Sequence, residues 1–164
     1  MSKKLDIALV AHDARKGELI EWCKYNIEWL SRHNLYATGT TGKLIEDINT
    51  KWVPQENGNL KIEGPLVEKV TCVLSGPLGG DQQIGAMVAE DKIDVLIFFC
   101  DNMETQGHQQ DIGALSRLAS LYNIAFATNR KTADLIITSS LLEDESYERI
   151  IPSVIERYKN RMQP

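Results

Sequence analysis

No apolar run in this chain approaches the length of a bilayer span, so nothing in it predicts a transmembrane helix. Positive charge is not in surplus either. The chain has 18 Lys and Arg against 23 Asp and Glu, a formal net charge of −5, which argues against a general nucleic-acid binder with a basic face. An anionic small molecule stays admissible, because it needs only a local positive field. Cysteine is scarce: Cys23, Cys72 and Cys100 lie far apart, in or beside apolar runs, as free thiols of a reducing compartment do. Metal-ligand spacing is absent, and His12, His33 and His108 are too scattered to be assigned a metal. Met1-Ser2-Lys3-Lys4 leads straight into a strand-like segment without a signal-peptide core, and the expected location is cytoplasmic. There are no repeats or low-complexity tracts.

A length of 164 residues, 43% of them hydrophobic, suits one domain (residues 1–164) with a sizeable core. Short apolar runs at 5–11, 35–38, 70–74, 95–99 and 124–128 read as strands. Val95-Leu96-Ile97-Phe98-Phe99 is apolar throughout, as a strand covered on both faces should be. Helical spacing separates these runs. Leu19, Trp22, Cys23, Ile27 and Leu30 predict one helix, Ile112, Leu115, Leu118, Ala119 and Tyr122 a second, and residues 152–162 a terminal one opened by Pro152. The alternation predicts a doubly wound α/β domain: a mostly parallel five-stranded sheet with helices on both faces. Residues 51–69 break the rhythm. They are polar, lack apolar residues for their own core, and read as a surface excursion in which Asn57-Gly58 can turn a hairpin.

In open α/β sheets ligands bind beyond the carboxyl ends of the strands. The unusual polar clusters of this chain fall at those places. His12, Asp13 and Lys16 follow the first strand, and Thr38-Gly39-Thr40-Thr41-Gly42 the second. Ser75-Gly76-Pro77-Leu78-Gly79-Gly80-Asp81 follows the third, Asp101 ends the fourth with His108 and Asp111 further on, and Thr128-Asn129 follows the fifth. Glycines let backbone N–H groups approach an anion, and hydroxyls near a helix N-terminus bind phosphate without many full charges. A carboxylate, Asp81, inside such a cradle makes sense if it removes a proton from a phosphorylated substrate. The alternatives are a structural strand-to-helix turn with Asp81 as a cap, a threonine-rich turn, a solvated Lys16 and an exposed loop histidine at 108.

The chain resembles the methylglyoxal synthase family. The likeness rests on Val10-Ala11-His12-Asp13, Tyr36-Ala37-Thr38-Gly39-Thr40-Thr41-Gly42, Leu74-Ser75-Gly76-Pro77-Leu78-Gly79-Gly80-Asp81-Gln82-Gln83, Ile97-Phe98-Phe99 with Asp101, and Ala127-Thr128-Asn129. The resemblance implies a cofactor-free lyase that converts dihydroxyacetone phosphate into methylglyoxal and inorganic phosphate, assembled as a homohexamer and regulated by phosphate. It implies Asp81 as catalytic base, His108 as catalytic histidine, and Asp111 and Asp101 as acidic residues around it. It also matches Lys16, Thr38, Gly39, Thr40, Thr41, Ser75 and Gly76 to phosphate-binding positions, His12 and Asp13 to the active-site pair after the first strand, and Arg161 to an arginine reaching a neighbouring subunit. Two places depart from the family pattern. Asp101-Asn102-Met103 stands where Asp-Pro-Leu is usual, and Gly107-His108-Gln109-Gln110-Asp111 lacks two prolines and gains a glycine, which loosens that loop. The rival readings are an effector-binding module of the same fold and another sugar-phosphate lyase or isomerase.

Overall fold

The computed structural model describes residues 2–48, 50–54, 56–58, 60–65, 70–103 and 109–161, without the side chains of 50–54, 60–65, 109 and 110. In chain order the elements are β1 (Asp6–Ala11), a 3-10 turn (Asp13–Arg15), α1 (Lys16–Tyr25), α2 (Ile27–Leu30), β2 (Asn34–Thr38), α3 (Thr41–Asp47), β3 (Thr50–Pro54) and β4 (Leu60–Pro65). There follow β5 (Val70–Val73), a 3-10 turn (Gly76–Leu78), α4 (Gly80–Ala89), β6 (Val95–Phe99), α5 (Gln109–Leu121), β7 (Ala125–Ala127), α6 (Arg130–Ile137) and α7 (Ser153–Arg161).

Five of these strands form one sheet in the order β5-β2-β1-β6-β7, with every neighbouring pair parallel. The chain winds outward from β1 to β5, then returns to the other side of β1 for β6 and β7. That reversal makes the domain doubly wound and places a crevice at the carboxyl ends of β1 and β6. Side chains alternate across the sheet accordingly. Ile7, Leu9, Val95, Ile97 and Phe99 pack with Leu19, Trp22, Cys23, Ile45 and Ala133, from α1, α3 and α6, on one face. Ala8, Val10, Leu96 and Phe98 pack with Ile84, Val88, Leu115 and Ala119, from α4 and α5, on the other. All five strands expected from sequence are present, with ends displaced by no more than one residue.

Two expectations need correction. The single helix read across Leu19 to Leu30 is broken at Asn26, whose backbone (φ −108°, ψ 18°) leaves the helical region while its side chain donates to the Trp22 carbonyl at 2.9 Å. An asparagine offers its neighbours a local alternative to the helix ladder, and here it takes it. Helix α6 was not anticipated. Its start is signalled by Asn129, whose side chain accepts the Thr132 N–H at 2.9 Å as an N-cap, and Trp22 anchors it by donating its indole N–H to Asp134 at 2.8 Å. In the polar excursion, β3 and β4 pair antiparallel as a two-stranded ribbon separate from the main sheet.

At the amino ends of the strands, His33 is buried and accepts the Leu5 N–H at Nδ1 (3.2 Å), with Glu143 3.3 Å from its Nε2. Burial lowers its pKa below the ordinary 6.5; Glu143 opposes this, and Arg32 and Lys4 add to it. A lowered folded value means that the unfolded chain binds the proton more readily. Stability is therefore present in full above about pH 6.5 and is lost as pH falls through the folded value. Melting temperatures between pH 7.5 and 5 should fall more steeply for the parent than for His33→Gln, which keeps an acceptor for Leu5. Equal slopes would remove His33 from the acid response.

Candidate active site

The strand-edge loops converge, and each is shaped by local chemistry. Past β1, His12 is half-buried; its N–H donates to the Phe99 carbonyl (3.2 Å), its Nδ1 accepts the Asp101 N–H (2.9 Å), and its ring meets Phe98 edge-on at 5.1 Å. Asp13 is exposed and pairs with Lys16 at 3.1 Å, while the Lys16 ammonium also reaches the Thr40 hydroxyl at 3.5 Å. Lys16 thus bridges the loops after β1 and β2.

Thr38 closes β2, and Gly39 takes φ +51°, a left-handed conformation that a side chain rarely adopts. That turn brings the Gly39 N–H within 3.2 Å of the Val73 and Leu74 carbonyls, joining the second loop to the third. Thr41, the first residue of α3, is 1% exposed, and its hydroxyl has no hydrogen-bond partner among the described residues. A buried hydroxyl without a partner at a helix N-terminus is suited to an anion.

In the third loop the Ser75 carbonyl accepts the N–H groups of Leu78 (3.0 Å) and Gly80 (2.9 Å), and Gln83 accepts the Leu74 N–H at 2.7 Å. This tight turn delivers Asp81 into the first turn of α4, where helix N–H groups favour negative charge. Asp81 is 6% exposed and so close to Gly76 that a Cβ added there would lie 3.5 Å from its Oδ2. Asp81 also lines, together with Asp111 from the first turn of α5, a cleft of about 290 Å³ between α4 and α5.

Beyond β6, Cys100 is buried, and burial pushes its thiol up to about 11, with Arg15 pulling it down and Asp81 pushing it up. It remains a thiol at neutral pH and is no nucleophile. Asp101 turns its carboxylate back on the Met103 N–H at 3.0 Å. Of the expected site residues, His108 lies outside the described residues. Arg161 is exposed in the last turn of α7, its guanidinium 5.3 Å over the Tyr158 ring, and among the described residues no hydrogen bond or ion pair joins it to the cluster. Of Thr128-Asn129, Asn129 serves α6 as its N-cap.

Arg15 was passed over in the sequence. Its Nη1 donates to the Cys100 carbonyl at 3.2 Å and its Nε to Glu18 at 2.7 Å. The available signal was a cation in a strand-end loop with a carboxylate three residues on. A larger cavity, about 420 Å³, lies at the opposite edge of the sheet among Leu5, Ile124, Ala125, Leu142 and Ile150, away from all of these groups. Among the described residues no set of three or more His, Cys, Asp or Glu is placed to hold a metal, and no helix is long and apolar enough to cross a membrane.

A parallel sheet whose switch-point loops gather hydroxyls, backbone donors, one lysine and a near-buried carboxylate defines an α/β domain with a polar strand-edge site, an arrangement suited to an anionic ligand. A family model described as "MGS-like domain" matches residues 18–128. The methylglyoxal synthase of Maridesulfovibrio salexigens is 52% identical over 145 residues, covering 88% of this chain and 90% of that protein. That of Proteus mirabilis is 49% identical over 150 residues, covering 92% and 88%. The crystal structure of methylglyoxal synthase from Elizabethkingia anophelis superposes with a TM-score of 0.77 at 41% identity, covering all of this chain and 95% of that one. The chain belongs to the methylglyoxal synthase family.

Proposed function

We propose that the chain is a lyase that eliminates inorganic phosphate from dihydroxyacetone phosphate and yields methylglyoxal. The observation that carries this reading is Asp81, nearly buried beside Gly76 at the sheet edge that also holds the Thr38–Thr41 donors. Asp81 takes the proton from the hydroxymethyl carbon, and the electron pair moves into the enediolate. His108, to which the family resemblance assigns Asp111 and Asp101 as acidic partners, donates to the carbonyl oxygen as charge develops there; such a positioned acid or base contributes roughly 10²–10⁴-fold.

The bond from carbon to the bridging phosphate oxygen then breaks, and phosphate leaves with the pair. For that the bond must stand out of the enediol plane, overlapping its π system. Lys16, Thr38, Gly39, Thr40, Thr41, Ser75 and Gly76 hold the phosphate in this orientation and take up its growing charge. An isomerase using the same base would keep the bond in the plane. His12 and Asp13 complete the wall after β1. The family also supports a homohexamer, phosphate regulation and a role for Arg161 at a neighbouring subunit; gel filtration and phosphate titrations test these.

The test of the reaction is a paired assay of purified protein with dihydroxyacetone phosphate, following methylglyoxal and inorganic phosphate together. Equal release of both is the expected result. Saturable phosphate binding without turnover would instead make the chain an effector-binding module. Within the cradle, Lys16→Ala should weaken inorganic phosphate roughly ten- to a hundredfold by calorimetry, the loss of one hydrogen bond to a charged group. Unchanged affinity would take Lys16 out of the cradle.

A further inference from the structure

The carbonyl of Cys100 and the N–H of Asp101 belong to one peptide group, and two side chains from the loop after β1 hold it from opposite ends. Arg15 Nη1 donates to the carbonyl at 3.2 Å, and His12 Nδ1 accepts the N–H at 2.9 Å. Arg15 is itself fixed by Glu18 at 2.7 Å, and its own N–H donates to the His12 carbonyl at 2.9 Å. His12 N–H in turn donates to the Phe99 carbonyl at 3.2 Å, one residue before the gripped peptide. Loop and strand end are thus locked in register by three bonds across the switch point.

The chemistry of the grip has a direction. A nitrogen that accepts an N–H carries no proton, so a neutral His12 bears its proton on Nε2. A cation on the carbonyl of an amide withdraws electron density and makes the N–H of the same amide a stronger donor, since hydrogen bonds in a chain polarise one another. We propose that Arg15 is a positioning residue that acts through the Cys100–Asp101 peptide, holding His12 in the single tautomer protonated at Nε2. In that tautomer His12 offers an oxygen beside its Nε2 a hydrogen-bond donor, never a competing acceptor. The catalytic consequence rests on the function proposed above; the tautomer assignment does not.

The test reads the ring itself. Long-range nitrogen-15 NMR at neutral pH, with His12→Gln identifying the signal among the three histidines, should show Nδ1 unprotonated and Nε2 protonated in the parent. Arg15→Ala should shift the ring nitrogens toward a tautomer mixture and lower kcat about tenfold, the size of effect typical of an outer-shell partner, with KM changed less than twofold. Arg15→Lys, which restores a cation at the carbonyl, should recover most of both. Should Arg15→Ala fail to fold, Glu18→Gln loosens the same guanidinium and should move the ring signals in the same direction by a smaller amount.

A parental ring protonated at Nδ1 would overturn the proposal. So would ring signals in the variants identical to the parent. If the parent does not turn over dihydroxyacetone phosphate while its ring behaves as described, the proposed function fails and the tautomer assignment stands.

Discussion

Asp81→Asn is expected to remove nearly all turnover of dihydroxyacetone phosphate while leaving inorganic phosphate bound at least as tightly as in the parent. The substitution keeps the shape of the side chain in the first turn of α4, so the tight turn from Ser75 to Gly80 has no reason to rearrange. What it removes is the basic oxygen pair. An amide cannot take a proton from carbon, and the loss should reach or exceed the roughly 10²–10⁴-fold assigned to a positioned base. Phosphate affinity should hold or rise, because a carboxylate 6% exposed beside an anion site repels its ligand. The paired assay measures the first effect and calorimetry with phosphate the second. Parental rates in Asp81→Asn would reassign the base, with Asp111 across the same cleft the first alternative.

Gly80→Ala should have the second large effect, and it comes from one methyl group. A Cβ at this position would run into the Leu74 carbonyl and approach the Ser75 carbonyl carbon to 3.0 Å. Both obstacles are backbone, held in place by the Gln83 bond to Leu74 and the two N–H groups on the Ser75 carbonyl. No side chain can swing aside, so the turn must open. Overpacking of this kind costs about 1–3 kcal/mol, and Asp81 is the next residue. A displacement of roughly 1 Å at a catalytic group can lower the rate about a hundredfold. The expected outcome is a lower melting temperature together with a fall in kcat/KM of about that size. Gly113→Ala in α5 makes the same chemical change where a Cβ would meet nothing within 4 Å, and it should leave stability equal or higher. Equal behaviour of the two variants would show that the turn at Gly80 is not tight in solution.

Much of the architecture was legible because its signals are local. Val95 to Phe99 reads as a central strand because burial on both faces leaves no polar position. The strand-edge rule then gathers His12, Thr41, Asp81 and Asp101 without any knowledge of their contacts. The missed features depend on partners distant in sequence. Arg15 acts on a backbone carbonyl 85 residues away, and a carbonyl has no sequence signature. Helix α6 opens with Arg130, Lys131 and Thr132, and its anchor is the Trp22 indole 112 residues earlier. Asn26 interrupts a run whose apolar spacing is helical on both sides, so the spacing alone hides the break. The meeting of Asp81 and Asp111 in one cleft likewise depends on how α4 packs on α5, which periodicity does not encode.

The strand order also dictates the sequence of events during synthesis. Residues 6–73 supply β1, β2 and β5, which can pair as soon as they leave the ribosome. The other edge of β1, whose bonds to the β6 side run through the even-numbered residues from Asp6 to His12, has no partner until β6 emerges with Val95 to Phe99. A nascent chain therefore presents a bare central edge for more than twenty further residues, the kind of surface that chaperones shield. When β6 finally docks, the same movement carries the Cys100–Asp101 peptide between Arg15 and His12. Docking of β6 and seating of that peptide are one event, so a product that stops short of β6 is left without either.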